Sequence, residues 1–482
     1  MGVEIPIADG FYRSSSLPID SQRCVNAYPL LVNMPNFQRQ SLLGTPGITQ
    51  LVDTTQTTGC RGAMEMNDIP YFVFGTVLYK LVRSISSGVE SFSVTSLGTI
   101  PGTERVSMAQ NGTQLVILKP GSTGYVYNRT SGSLATITDS DFTANGNPQY
   151  VRYVDGYFAF ATDAQKLIVS ALNDGTSYDA LDFGSAEADP DSIVTLHVSG
   201  GRLLALGTET TQIFQNIGGT DFPFQAVPAS TIQKGCYAPF SVVDAAESFA
   251  MIGGGERESA SIYFFTGNGY EKISNEAIDY LIEQLSDTEL ANVVGWSYSD
   301  RSSMFAGWQL NQTTIVYDFT TGRWHERQSR TFDDDGFPAQ VAWRSSDIIR
   351  AYGRILVGDR LDGLIGHADL DIYEEYGGEI LRWAVTQPLD NKGDSFSVPR
   401  IEATTESGGT TSATLDPKVR MSLSRDGIVF GPEKSRDIGK VGEREKRQIW
   451  RKNGWFDRVC VMKFLMSDKV KFSIVKVEAD FG

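Results

Sequence analysis

The chain has 482 residues, more than the ~100 to 200 of one ordinary domain, and 48 of them are glycine. Apolar residues make up 41% and charged residues 21%, which fits many short strands joined by tight turns and excludes a disordered chain. The formal net charge of −16 argues against a protein that grips duplex DNA, because such proteins present basic surfaces to the phosphates.

The first 58 residues differ from the rest of the chain because prolines recur there and break any long element. The run from Cys24 to Val32 predicts one short strand, and the turn over Leu43–Thr49 leads into another. We therefore predict an extended N-terminal arm over 1–58 that lies on the following domain or on a neighbouring subunit. Its prolines are Pro6, Pro18, Pro29, Pro35 and Pro46.

Residues 59–378 repeat one pattern seven times, with short apolar or β-branched runs separated by turns. A period of roughly 40 to 50 residues with about four short strands per unit is typical of a β-propeller. We predict an all-β fold with seven blades, and six remain possible because the fifth unit is the least regular. The units begin near Arg61, Arg105, Val151, Val194, Ser241, Val293 and Val341.

The fifth unit carries the clearest helix of the sequence. Ser274 is a good N-cap, and an apolar stripe follows at Ile278, Leu281, Ile282 and Leu285. The pattern fits a helix packed on the rim of the propeller and a partner-binding element equally well.

From residue 379 the rhythm changes to longer strand-like runs, which predicts a C-terminal β-sandwich domain over 379–482. Within it lies a locally basic segment, in which eight cations fall in nineteen residues. A solvated hairpin or a protein interface accounts for it better than contact with nucleic acid does. We predict an interface formed by Lys434, Arg436, Lys440, Arg444, Lys446, Arg447, Arg451 and Lys452.

The sequence carries no catalytic or metal-binding pattern, so we predict no enzyme activity and no cofactor. His197, His325 and His367 are far apart in sequence, and the four cysteines form no C-x-x-C pair. The cysteines, Cys24, Cys60, Cys236 and Cys460, are predicted to be reduced and mostly buried, as in a protein assembled in a host cytoplasm.

Two short motifs have both a functional and a structural interpretation. Ser422–Gly431 resembles the Asp-box turn of sialidase-type propellers, but it occurs once, and a hairpin explains Asp426 and Gly427. The acidic run Phe332–Phe337 lacks the spaced ligands of an EF-type calcium loop, and a solvated turn is the better interpretation. A glycosidase with paired carboxylates at the blade tops stays open as an alternative.

Several stretches carry a family resemblance when they are taken together in order. They are Leu43–Thr49, Arg105–Ala109, Gly207–Phe214, Gln233–Phe240, Ile262–Gly269, Ser422–Gly431 and Trp450–Gly454. This series resembles the tail-hub or nozzle protein of short-tailed phages, also called the packaged-DNA stabilisation protein, a head-completion or tail accessory factor. The first 40 residues and Thr404–Thr414 lie outside this resemblance.

The resemblance implies a non-enzymatic structural protein of the virion tail, assembled as a homo-hexameric ring below the portal. Its implied partners are the head-to-tail adaptor ring, a tail needle or plug, and tail fibres or spikes. Double-stranded DNA would pass through the lumen without specific binding, and no membrane insertion is expected. Six copies would carry roughly −96 charges, a repulsive field for a passing polyanion. The alternatives are a glycan-degrading or fibre-associated tail protein and a soluble cellular scaffold.

Overall fold

The computed structural model describes residues 2–7, 10–13, 21–34, 37–121, 123–185, 191–219, 221–332, 337–408 and 415–482. Strands dominate these ranges, as predicted. Their helical elements are short: α1 (Glu276–Glu283), α2 (Asp287–Ala291) and a 3-10 turn at Ser140–Thr143. No helix in the described ranges is long and apolar enough to cross a membrane.

Seven sheets in the described chain form the propeller, which confirms the seven-blade count over the six-blade alternative. In blades one to four, four consecutive antiparallel strands run outward from the centre. They are Cys60–Met66, Ile69–Phe74, Val77–Ser86 and Val89–Thr99 in blade one; Ser107–Gln110, Gln114–Leu118, Gly124–Asn128 and Ser133–Thr136 in blade two; Pro148–Val154, Tyr157–Thr162, Lys166–Ala171 and Asp174–Ser185 in blade three; and Ile193–Ser199, Arg202–Gly207, Thr211–Asn216 and Phe224–Ala226 in blade four.

The fifth blade is irregular because its innermost strand is split into two short pieces. Both pieces pair with the same neighbour, and Phe240, between them, packs against Tyr150 of blade three. The strands of the last three blades are Gly235–Cys236, Val243–Ala245, Ser248–Gly254, Ser261–Phe265 and Tyr270–Lys272 in blade five; Val294–Asp300, Ser303–Gln309, Thr314–Asp318 and Arg323–Phe332 in blade six; and Ser345–Ala351, Arg354–Asp359 and Leu364–Asp369 in blade seven.

The core of the propeller lies between neighbouring blades. Over the described residues, seven apolar clusters each join two successive blades, and an eighth fills the sandwich. One of the seven packs Phe72 of blade one against Leu356 and Ile365 of blade seven, which closes the ring. Each blade therefore buries both faces only when its two neighbours are present.

Blade seven takes its fourth strand from the start of the chain. Gly47–Asp53, which we call the closing strand, pairs antiparallel with Leu364–Asp369, from Gly47 opposite Asp369 to Asp53 opposite Leu364. Gly47 is required at this position, because a Cβ there would lie 2.4 Å from the carbonyl oxygen of Glu374. The closing strand thus covers an edge that would otherwise be open.

The other strands of the N-terminal segment belong to the second domain or join the two domains. Ser21–Val25, the linking strand, lies between Arg323–Phe332 of blade six and Arg382–Val385 of the sandwich. Tyr12–Arg13 pairs with the linking strand. Val3–Ile5 and the hairpin of Ala27–Met34 with Phe37–Gly44 join one sandwich sheet through Ser473–Asp480.

The N-terminal segment is therefore extended and lies on its own propeller, and it is more than an arm resting on that domain. It supplies strands to both domains of its own chain. The sequence predicted a strand over Cys24–Val32 and another after Leu43–Thr49, but it does not reveal the partners of the linking and closing strands, which lie hundreds of residues away.

The C-terminal domain is a β-sandwich, as predicted. One sheet holds the N-terminal hairpin and Ser473–Asp480, Arg400–Thr405 and Gln448–Arg451. The other continues from blade six through the linking strand to Arg382–Val385, Val459–Met466, Lys418–Ser424 and Lys434–Asp437. Short pairings complete the fold: Pro338–Ala342 on blade six, Glu374–Glu375 with Gly378–Glu379, Leu389–Asp390 on Val459–Met466, and Phe396–Ser397 with Trp455–Phe456.

Polar contacts fix the linking strand between the two domains. Arg23 donates two hydrogen bonds to the carboxylate of Glu326, at 2.7 and 2.6 Å. The side-chain amide of Asn26 donates to the carbonyl oxygens of Gln328 at 2.8 Å and Leu381 at 2.9 Å. Because a bidentate, charge-assisted pair restricts both partners, the two domains are held in one arrangement.

Removing the buried side chain of the closing strand should destabilise the protein. Ile48 is fully buried between the closing strand and blade seven, whereas Thr49 is exposed on the opposite face of the same strand. We expect Ile48→Ala to cost about 2 to 5 kcal/mol of unfolding free energy and Thr49→Ala to cost less than about 0.5 kcal/mol. Urea denaturation of both variants measures this, and equal midpoints would contradict a stabilising role for the closing strand.

The carboxyl group of Glu375 should make stability depend on pH. It lies near Arg344 and Asp359, and burial raises its pKa from 4.5 to about 7. The folded protein then keeps a proton that the unfolded chain loses, so stability falls as the pH rises from about 4.5 to 7. We expect Glu375→Gln to be more stable than the parent above pH 7, with a difference that shrinks towards pH 4.5. Thermal unfolding across this range measures the effect, and a constant difference would contradict it.

Candidate functional site

The three histidines lie on three different blades and do not form a catalytic group. His197 in blade four packs on Phe249 with ring centres 4.3 Å apart, and burial lowers the pKa of its imidazole. His325 in blade six is fully buried and accepts a hydrogen bond from Arg327 at 3.3 Å, and burial lowers its pKa well below the usual value. His367 lies in blade seven, 3.2 Å from a guanidinium nitrogen of Arg354.

The four cysteines are free and buried, which confirms that prediction. Burial raises the pKa of Cys236 to about 12 and that of Cys460 to about 12, so neither thiol is ionised at neutral pH. In the described part of the chain, no three His, Cys, Asp or Glu side chains are grouped so that they could hold a metal ion.

The Asp-box-like motif is a local turn, as the structural interpretation predicted. The carboxylate of Asp426 accepts hydrogen bonds from the backbone N–H groups of Ile428 at 2.8 Å and Val429 at 2.9 Å. It also accepts one from the hydroxyl of Ser424 at 2.8 Å, and these donors lower its pKa. The acidic run after Phe332 falls on residues 333–336, outside the described ranges.

Side chains from four blades meet at the centre of the propeller. Arg105 of blade two forms an ion pair with Asp347 of blade seven at 2.6 Å. The guanidinium of Arg105 also lies 5.3 Å from the ring of Phe240, which projects from the split strand of blade five. Phe240 in turn packs edge-on against Tyr150 of blade three at 5.6 Å. These contacts link side chains of blades two, three, five and seven across the ring.

The basic segment runs along the side of the sandwich where the last strands of its two sheets meet. We call residues 434–452 the basic edge. Lys434–Asp437 is the outermost strand of the sheet that extends from blade six, and Gln448–Arg451 is the outermost strand of the other sheet. Trp450 is fully buried where these two strands meet, and its indole N–H donates to the carbonyl oxygen of Lys434 at 2.7 Å. All eight predicted cations are exposed along it.

Half of these eight cations have a partner within the chain. Arg447 donates two hydrogen bonds of 2.7 Å to Glu402, and Lys446 lies 3.2 Å from Glu443. Arg436 donates to the carbonyl oxygen of Ile449 at 2.7 Å, and Lys434 donates to Asn453 at 3.5 Å. The side chains of the other four have no hydrogen-bond or ion-pair partner among the described residues; they are Lys440, Arg444, Arg451 and Lys452.

A groove of about 510 Å³ lies beside α1 on blade five, and we call it the acidic groove. Four carboxylates line it, together with Lys272 and the tyrosines Tyr12, Tyr263 and Tyr280. Asp279 pairs with Lys272 at 2.6 Å, and Glu258 pairs with Lys234. The carboxylates of Glu276 and Glu283 have no partner among the described residues. The wall of this groove therefore carries an uncompensated negative charge.

Sequence reasoning identified the helix of this groove but not its acidic face. Asn275 is the observed N-cap, accepting from the backbone N–H of Ile278 at 3.0 Å, rather than Ser274. Ser274 instead donates its hydroxyl to Asp279 at 2.6 Å. Glu276, Asp279 and Glu283 recur at intervals of three and four residues, and this spacing was the available indication of an acidic face.

Charge is distributed unequally between the two domains. Residues 379–482 contain 19 Lys and Arg against 15 Asp and Glu, a net charge of +4. Residues 1–378 contain 23 Lys and Arg against 43 Asp and Glu, a net charge of −20. The basic edge and the acidic groove are local concentrations of these opposite charges.

The Arg105–Asp347 pair should contribute to stability across the ring. Both side chains are mostly buried, so we expect Arg105→Ala to cost about 1 to 3 kcal/mol. Arg301 pairs with Asp371 at 3.0 Å on the surface, and Arg301→Ala should cost at most about 1 kcal/mol. Chemical denaturation compares the two variants, and equal losses would argue against a special role of the central pair.

Comparisons with known proteins identify related families and folds. A family model described as "Bacteriophage P22 Gp10, beta-propeller" matches residues 3–373, and one described as "Bacteriophage P22 Gp10, beta-sandwich" matches residues 382–482. No curated protein matches the chain in sequence.

Three solved structures resemble parts of the chain. The computationally designed Ika8 protein is 10% identical with a TM-score of 0.37, over 66% of this chain and 99% of its own. The WD40 β-propeller domain of Doa1 is 11% identical with a TM-score of 0.40, over 67% and 97%. The N-terminal domain of Nup159 is 11% identical with a TM-score of 0.38, over 68% and 94%.

Proposed function

The chain belongs to the bacteriophage P22 Gp10 family, and we propose that it forms a tail-hub or nozzle ring of six copies below the portal and adaptor of a short-tailed phage. The observation that carries this proposal is the match of both family models, in order, across nearly the whole chain. A member of this family is a structural phage protein that stabilises the particle. In the proposed role the ring closes the channel after packaging and conducts the DNA during ejection.

The contacts at the centre of the propeller bear on where DNA can pass. Arg105 contacts Asp347 of blade seven and Phe240 of blade five, so side chains of three blades meet there. In the proposed ring we therefore place the passage for DNA between subunits. With −20 charges on residues 1–378, the propellers repel the phosphate backbone. This suits a passage that must not hold DNA tightly, because each phosphate contact would slow ejection.

The strands that connect the two domains are consistent with a role in which mechanical force is transmitted from the propeller to the sandwich. The linking strand carries backbone pairing from blade six to the sandwich, and Arg23 and Asn26 hold it by side-chain contacts. The sandwich and its basic edge then serve as the contact surface for neighbouring rings or subunits. Needle, plug, fibre or spike proteins complete the set of proposed partners.

Particles assembled without this chain test the proposal. We expect heads that package DNA and then lose it, with the portal and adaptor present and the tail tip missing. Electron microscopy and a nuclease-protection assay for retained DNA measure this, with particles complemented by the intact chain as the control. Particles that keep their DNA but fail to attach to the host or to digest its glycans would instead favour the fibre-associated or enzymatic alternative.

A further inference from the structure

We infer that the acidic groove beside α1 receives the basic edge of a second copy of this chain. This inference rests on the proposed ring for its setting and adds the two surfaces that meet between neighbouring subunits. It is supported by the shape and charge of the groove, the free cations of the edge, and the positions of these two surfaces on different domains.

The groove presents negative charge that its own chain does not neutralise. Glu276 and Glu283 lie exposed at the two ends of α1, about two turns apart, and neither forms an ion pair with a described residue. Asp279, between them on the same face, is neutralised by Lys272. The two unpaired carboxylates, one at each end of this groove wall, can each form an ion pair with a cation of a segment bound in the groove.

Tyrosines make the groove suited to arginine in particular. Tyr280 is 48% exposed and Tyr12 is 37% exposed, although both line a concave surface. A guanidinium group stacks on an aromatic face while it donates to a carboxylate, which a small inorganic cation does not do. The groove therefore selects an arginine-containing protein surface.

The basic edge has arginine side chains that form no contacts needed by its own domain. Arg444 lies in the loop between the two edge strands, and Arg451 lies at the end of Gln448–Arg451. Both are exposed, and neither guanidinium has a hydrogen-bond or ion-pair partner among the described residues. Arg447 differs, because Glu402 already holds it.

A second copy is the occupant that the charge distribution favours. Nucleic acid is excluded from the groove by its carboxylates, and residues 1–378, with −20 charges, repel one another in neighbouring copies. Lys434–Asp437 is the outermost strand of the sheet that leaves blade six, and three strands of the sandwich separate it from the linking strand. A contact between two different surfaces of identical chains is heterologous, and such contacts build rings when the rotation closes.

Charge reversal and charge exchange in particles test the inference. We compare Glu276→Lys/Glu283→Lys in the groove, Arg444→Glu/Arg451→Glu on the edge, and the fourfold variant that carries both pairs. Each variant is supplied to particles that lack the native chain, and its amount per particle is measured against a head protein. Thermal unfolding of the purified variants checks that they fold. Glu209→Lys/Glu271→Lys and Lys392→Glu/Arg458→Glu make the same charge changes at exposed sites outside both surfaces.

We expect each double reversal to lower incorporation roughly tenfold or more, because like charges then face each other. The fourfold variant should return to within about threefold of the native chain, because every contact again joins opposite charges. Both control variants should incorporate normally.

Three outcomes would overturn the inference: normal incorporation of either double reversal, no recovery in the fourfold variant, or losses in the control variants as large as those in the reversals. A loss confined to the edge variant would assign the basic edge to the adaptor ring. In each case, DNA loss from particles lacking the chain would leave the proposed function standing.

Discussion

The pairing of the closing strand with blade seven is the constraint on which the rest of the structure depends. A propeller buries the faces of its blades only when the ring is complete, and the last blade here lacks an outer strand of its own. Gly47–Asp53 supplies it across a separation of about 300 residues, so the native ring requires both ends of the propeller sequence. Closing a loop of this length costs entropy that grows only slowly with length, and the buried Ile48 contributes to offsetting it.

The same N-terminal segment also ties the propeller to the sandwich. Immediately before the closing strand, the hairpin Ala27–Gly44 joins the sandwich, and the linking strand bridges blade six to Arg382–Val385. Unfolding one domain therefore removes strands from a segment that the other domain also needs. The two domains are distinct in their cores, but their stabilities are coupled through residues 21–53.

The repeats made the propeller predictable, since each unit carries the alternation of half-buried strands and its own turns. The split strand of blade five explains why that unit looked irregular without changing the blade count. Pairings across long separations were not predictable, because period and turn chemistry describe a strand but not its partner. Arg327 is a second feature that the sequence does not predict. It is fully buried with four aromatic rings about 5 Å away, and the residues next to it in sequence do not indicate this environment.

For the candidate site, composition located the basic edge, because eight cations crowd into one short segment. It did not separate the cations held within the chain from those that are free, since Glu402 lies about 45 residues before its partner Arg447. The acidic groove needed the structure for a similar reason. Tyr12 and Glu258 reach it from places far apart in sequence, and only α1 shows its acidic spacing locally.

The net charge of −16 does not show how charge is divided between the two domains, which is the property that matters for assembly. A uniformly negative protein would repel its own copies as strongly as it repels DNA. Here the negative charge lies on residues 1–378, while residues 379–482 are net positive and hold their free cations at one edge. Copies can then attract one another where edge meets groove and still present acidic propellers elsewhere. Because exposed charges act over about 8 to 10 Å at physiological salt, these opposite effects can operate on the same molecule without cancelling.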